Sequence, residues 1–128
     1  MRKRAVFIGI AAAATLLAVA LVPLAGASTA REDALAATIV KVKAGAPSAF
    51  AFKLSTKTLA KPGKVTFVVT NVGKLLHDFK VAGKKTSLIQ PGKTVRLAVT
   101  FKKKGKYAYL CTVPGHAAAG MRGVFTVK

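Results

Sequence analysis

The 128-residue chain has only three acidic residues, one cysteine, two histidines and no tryptophan. A single cysteine excludes an internal disulfide, and with two histidines it cannot complete a zinc site of four Cys/His ligands. Multi-metal catalytic centres built on histidine clusters fail on the same count. Against the three acids stand 22 Lys+Arg, giving a formal net charge of +19, yet 52% of the residues are hydrophobic. Highly charged disordered chains are poor in apolar residues, so a folded body is expected. The length suits one domain.

Part of the composition belongs to the start of the chain. Residues 1–30 open on Met1-Arg2-Lys3-Arg4, run apolar from Ala5 to Leu24 and close on Ala25-Gly26-Ala27-Ser28-Thr29-Ala30. A basic start, an apolar run and a small-residue end form a secretory signal, with cleavage expected after Ala27 or after Ala30. The competing reading is an uncleaved membrane anchor through residues 5–24, because the run approaches the ~18 residues needed to span. Pro23 and the alanine richness favour cleavage. Either way the body is expected outside the cytoplasm, in a periplasm or the extracellular space. Residues 31–36 read as a linker and 37–128 as the folded domain. Glu32 and Asp33 fall in the linker, which leaves Asp78 as the domain's one acidic side chain.

The domain reads as short strands separated by turns. Val65, Phe67 and Val69 alternate with Thr66, Val68 and Thr70; Val95, Leu97, Val99 and Phe101 alternate with Thr94, Arg96, Ala98 and Thr100. Period two marks strands with one buried face. Similar runs occur at 39–43, 50–54, 77–81, 106–111 and 123–127, and Pro62-Gly63, Pro91-Gly92 and Lys104-Gly105-Lys106 supply turns. With no amphipathic helix and no internal repeat, the expectation is an all-β, antiparallel Greek-key sandwich of about seven to eight strands. Most lysines punctuate turns or polar strand faces, as solvated surface residues do.

The chemistry gathers in Cys111-Thr112-Val113-Pro114-Gly115-His116-Ala117-Ala118-Ala119-Gly120-Met121. A thiolate, an imidazole and a thioether follow one another at spacing C-x4-H-x4-M between two predicted strands, and such a loop can turn all three inward. The other histidine, His77, shares strand parity with Phe79 and Val81 and is expected to point into the core. Singly, each has a plainer role: a buried cysteine, a packing histidine, a core methionine. Together the one Cys, both His and the one Met besides Met1 form the donor set of a copper electron-transfer site, two His and one Cys in a plane with a weak axial Met. A Cys–His nucleophilic pair is the competing chemistry, and it leaves His77 and Met121 without a role.

On these segments the chain resembles the cupredoxins, small blue copper proteins such as plastocyanins and azurins. Cys111-Thr112-Val113-Pro114-Gly115-His116 resembles the start of the azurin-type loop, and the four residues before Met121 match plastocyanin-like spacing. Asn71-x-Gly73 with His77-Asp78-Phe79 is similar to the upstream ligand segment, and Met121–Val127 to the closing strand. The resemblance implies His77, Cys111 and His116 as equatorial ligands of one type 1 copper ion and Met121 as the axial one. Asp78 stands where the family often has Asn; its carboxylate can accept from the N–H or hydroxyl of Thr112 and brace the loop. Its charge near the metal is expected to lower the reduction potential. Leu76 stands where azurins have a Gly whose carbonyl approaches the metal, so four ligands are expected, not five.

The expected function is one-electron shuttling by a monomer, not catalysis. Partners would dock on the small, uncharged patch of Pro114, Gly115, Ala117, Ala118 and Ala119 around His116, and basic side chains would steer acidic redox partners to it. Two other classes compete. A copper carrier would use similar ligands in a more open, methionine-rich site, and a basic module could grip an anionic membrane or cell-surface polymer. Nucleic acid is not expected as a partner, since the protein is exported and lacks an aromatic-rich basic stretch.

Overall fold

The computed structural model describes residues 37–128, and outside them Gly9 alone. The expected signal or anchor and the linker lie outside the described residues. Nine strands follow: β1 (Thr38–Ala44), β2 (Phe52–Leu54), β3 (Thr58–Leu59), β4 (Gly63–Asn71), β5 (Lys80–Val81), β6 (Lys84–Lys85), β7 (Thr94–Phe101), β8 (Gly105–Leu110) and β9 (Arg122–Val127). They form two sheets, ordered β2-β1-β4-β7 and β3-β9-β8-β5-β6, an all-β sandwich without a helix among the described residues.

Alternation builds the core. In β4 the odd residues Val65, Phe67 and Val69 are fully buried while Thr66, Val68 and Thr70 are half-buried on the outer face. In β7 burial deepens along the strand: Val95 and Leu97 are half-buried, Val99 and Phe101 buried. Aromatic rings join the sheets. Phe67 packs against Phe79, Phe101 and Phe125 with ring centroids 5.2, 6.3 and 5.4 Å away. Tyr109 lies over Gly123, its partner across β8–β9, where any Cβ would overlap the tyrosine ring and hydroxyl.

The pairing is mixed where antiparallel ladders were expected. β1 runs parallel to β4 and β3 parallel to β9. The cause is topological. After β2 the chain crosses to the second sheet for β3, then returns for β4 beside β1 in the same direction. The two-residue strands β3 and β6 are too short for any periodicity to reveal. The run 77–81 pairs as a strand only at Lys80–Val81, and His77 is held by a single bridge to Ile89.

Register places one end of the sandwich in charge of the site. Ala44, Asn71, Leu110 and Arg122 end or begin their strands at this end, so the loops carrying His77, Cys111, His116 and Met121 all emerge there.

Candidate metal centre

The upstream histidine is seated by backbone and by Asn71. Asn71, fully buried, donates through Nδ2 to the carbonyls of Leu75 and Ile89 at 2.7 Å each, and its Oδ1 accepts from the Gly73 N–H at 3.0 Å. One side chain thus ties the loop before His77 to the segment that bridges it. Ile89 completes the hold: its N–H donates to the His77 carbonyl at 2.7 Å. Gly45 and Gly73 meet beside the ring. A Cβ on Gly45, whose φ is +86°, would stand 2.8 Å from Gly73 Cα and 3.4 Å from His77 Nε2.

The downstream loop closes on itself through its main chain. Cys111 N–H donates to the Met121 carbonyl and Met121 N–H to the His116 carbonyl, both at 3.0 Å, while His116 N–H donates to the Val113 carbonyl. Cys111 and Met121 are fully buried and His116 half-buried. Phe50 packs edge-on against the His116 ring at 5.1 Å.

These two supports bring His77, Cys111 and His116 together, their donor atoms all within 4.8 Å of one another. The two Nδ1 atoms are 3.2 Å apart and His116 Nδ1 is 3.6 Å from Cys111 Sγ. Nitrogens bound at about 2.0 Å in a trigonal plane stand roughly 3.5 Å apart, so the spacing suits one ion. His77 Nε2 is buried with no hydrogen-bond partner among the described residues. A packing histidine would satisfy that atom; here the ring turns its Nδ1 to the other donors instead. Copper fits this set, because thiolate suits Cu(I) and imidazole suits both oxidation states.

Asp78 braces the cluster from behind. Its Oδ1 accepts from the Thr112 N–H at 2.6 Å, its Oδ2 accepts from the Thr112 hydroxyl, and its own N–H donates to Cys111 Sγ at 3.5 Å. The residue is 3% exposed. Burial holds His77 below the usual imidazole value, and His116 adds to the lowering while Asp78 opposes it. Burial likewise pushes the Cys111 thiol up, against the backbone N–H groups of Asp78 and Val113. Imidazole is therefore ready as a neutral ligand, whereas the thiol must give up a proton as metal binds.

Around His116, Pro114, Gly115, Ala118 and Ala119 are exposed and Ala117 half-buried. Sequence reasoning missed the other half of this surface. Leu75, Leu76 and Leu88 are 43%, 45% and 59% exposed, and Leu76, Leu88, Val113 and Pro114 share a cleft with Lys85, Asp78 and Thr112. Exposed leucines have no sequence signature of their own. Asn71 and Phe50 were missed as supports of the two histidines; only the Asn-x-Gly turn hinted at the first.

Residues 37–128 match the family model described as copper binding proteins, plastocyanin/azurin family. The chain is similar to the copper-resistant cuproprotein CopI of Vibrio cholerae serotype O1, 32% identical over 78 residues, covering 44% of this chain and 46% of that protein. The match therefore spans about half the length of that curated relative. Among solved structures, auracyanin from Roseiflexus castenholzii superposes with a TM-score of 0.61 at 21% identity, covering 71% of this chain and 96% of the other. Rusticyanin from Thiobacillus ferrooxidans does so with a TM-score of 0.55 at 29% identity, covering 73% and 78%.

Proposed function

The chain belongs to the plastocyanin/azurin family of copper-binding proteins, and from that premise we propose that it is an exported blue copper protein carrying single electrons between redox partners. His77, Cys111 and His116 would hold the ion through Nδ1, Sγ and Nδ1, with the Met121 thioether as a further, weaker donor. The single observation that carries this reading is the preformed cluster, two imidazole nitrogens and a thiol sulfur within 4.8 Å. Bound copper supplies a one-electron couple. The chain's part is to keep the donors still: Asn71 fixes the His77 loop, Asp78 and Thr112 fix the Cys111 loop, and neither oxidation state then requires movement. No second centre can be assembled from one Cys and two His, which favours a carrier over a catalyst.

The partner surface would be the apolar ring around His116, enlarged by Leu75, Leu76 and Leu88. Lys74, which precedes Leu75, and Lys85, in the cleft with Leu76 and Leu88, are exposed at its edge, a charge that suits acidic partners and a brief, salt-sensitive encounter. A second reading, copper carriage in metal resistance, is favoured by the similarity to the copper-resistant cuproprotein CopI.

Cu(II)-loaded protein should be intensely blue and bleach on reduction, and Cys111→Ser should abolish the colour. A colourless Cu(II) complex, or colour surviving that substitution, rules the blue-copper reading out. Electron self-exchange that is fast while copper stays bound against a chelator supports the shuttle; slow exchange with ready copper release supports the carrier.

A further inference from the structure

The end of the sandwich away from the metal centre carries a second concentration of chemistry. β4 runs from Gly63 to Asn71, and the eight steps between its nine residues, at ~3.3 Å each, set the two ends roughly 26 Å apart. Segments distant in sequence meet at the far end. Gly63 pairs with Phe101, which brings Lys61 to the turn Lys102-Lys103-Lys104. Tyr107 pins that turn, its hydroxyl donating to the Lys103 carbonyl at 2.6 Å. Gly105 pairs with Val127, the Lys128 N–H donates to the Leu59 carbonyl at 2.9 Å, and the Thr126 N–H donates to the Lys57 carbonyl at 2.8 Å. Both sheets therefore deliver lysines to one place.

All of these lysines are exposed. The acid that would neutralise them is missing: Asp78 is the only carboxylate side chain among the described residues, and it is buried at the opposite end. β1 also starts here, since Thr38 pairs with Val65. The chain that follows the apolar run 5–24 thus enters the fold at the lysine-rich end.

We propose that this end docks the protein on an anionic phospholipid bilayer and turns the metal centre toward the aqueous side. A lysine beside an anionic membrane contributes about fivefold in partitioning. Lysines contributed by both sheets suit an extended charged plane.

The test is partitioning of the full chain onto vesicles of phosphatidylcholine alone and of phosphatidylcholine with about one quarter phosphatidylglycerol. The anionic lipid should strengthen binding, and salt should reverse the gain. Lys102→Gln/Lys103→Gln/Lys104→Gln should reduce that gain on the order of a hundredfold. The control Lys41→Gln/Lys43→Gln/Lys53→Gln removes the same charge from β1 and β2, and should reduce it far less. Circular dichroism melting checks that both variants fold; should the first fail to, Lys57→Gln/Lys61→Gln/Lys128→Gln replaces it. No gain from phosphatidylglycerol, or equal losses in the two variants, overturns the proposal. Tighter binding to soluble polyphosphate than to the vesicles, lost in the turn variant, overturns it in favour of a soluble polyanion.

Discussion

The two ends of this sandwich are built on opposite principles. At the metal end, the polar side chains that support the ligands are buried, few and individually tied: Asn71 makes three hydrogen bonds and Asp78 accepts two from Thr112. At the lysine end, the turn is held by main chain and by Tyr107, and the charged side chains stand free in solvent. The difference teaches where sequence change is tolerated. A buried donor deprived of its partner bears the full cost of desolvation with no bond to offset it. An exposed lysine loses only its charge.

The comparison can be broken from the middle. Phe67 touches rings from both sheets, so Phe67→Ala should destabilise the fold by about 3–5 kcal/mol and lower both ends together in urea unfolding. A smaller effect confined to the metal end is expected from Asp78→Ala, which leaves the Thr112 N–H and hydroxyl without an acceptor. About 2–3 kcal/mol is the expected loss for a buried, charge-assisted pair, again read by urea. Asp78→Asn keeps an acceptor and should cost less. By removing negative charge beside Cys111 it should raise the reduction potential, and an unchanged potential would show that Asp78 acts by bracing alone.

Protons sharpen the contrast further, because His77 and Cys111 at the metal end are displaced from their ordinary values. His77 is held below 6.5, so the unfolded chain binds its proton first, and metal-free protein should lose stability as pH falls through and below that value. Cys111 is pushed above 9.0, so the unfolded chain releases its proton first and stability should also fall as pH rises beyond that value. Thermal melting of the metal-free protein across this range checks both limbs, and Cys111→Ser should remove the alkaline one. The smallest effect is expected from Lys102→Gln, which should leave the reduction potential unmoved and raise the urea midpoint only slightly, by relieving like-charge repulsion.

Legibility in the sequence followed the same division. The donors were visible because chemistry resides in residue identity: with one Cys and two His in the chain, few sites can be drawn. The long strands were visible because Val65, Phe67 and Val69 state their own periodicity. Asn71 was harder, since one of its three side-chain hydrogen bonds reaches Ile89, 18 residues away. The parallel β1–β4 ladder depends on where the chain crosses between sheets, which no local pattern records. The lysine end was invisible for a similar reason. Lys57, Lys61, the 102–104 turn and Lys128 look like ordinary surface punctuation until register assembles them.

The lone, buried acid has a thermodynamic consequence for the whole domain. Most proteins hold their counter-charges on their own surface, so their cohesion belongs largely to the chain. Here the described body must borrow its anions from the medium. It folds as a compact polyelectrolyte whose self-repulsion is relieved by whatever ion atmosphere surrounds it. Its thermal stability should therefore climb as electrolyte is added, so that dilution alone becomes a mild denaturing stress.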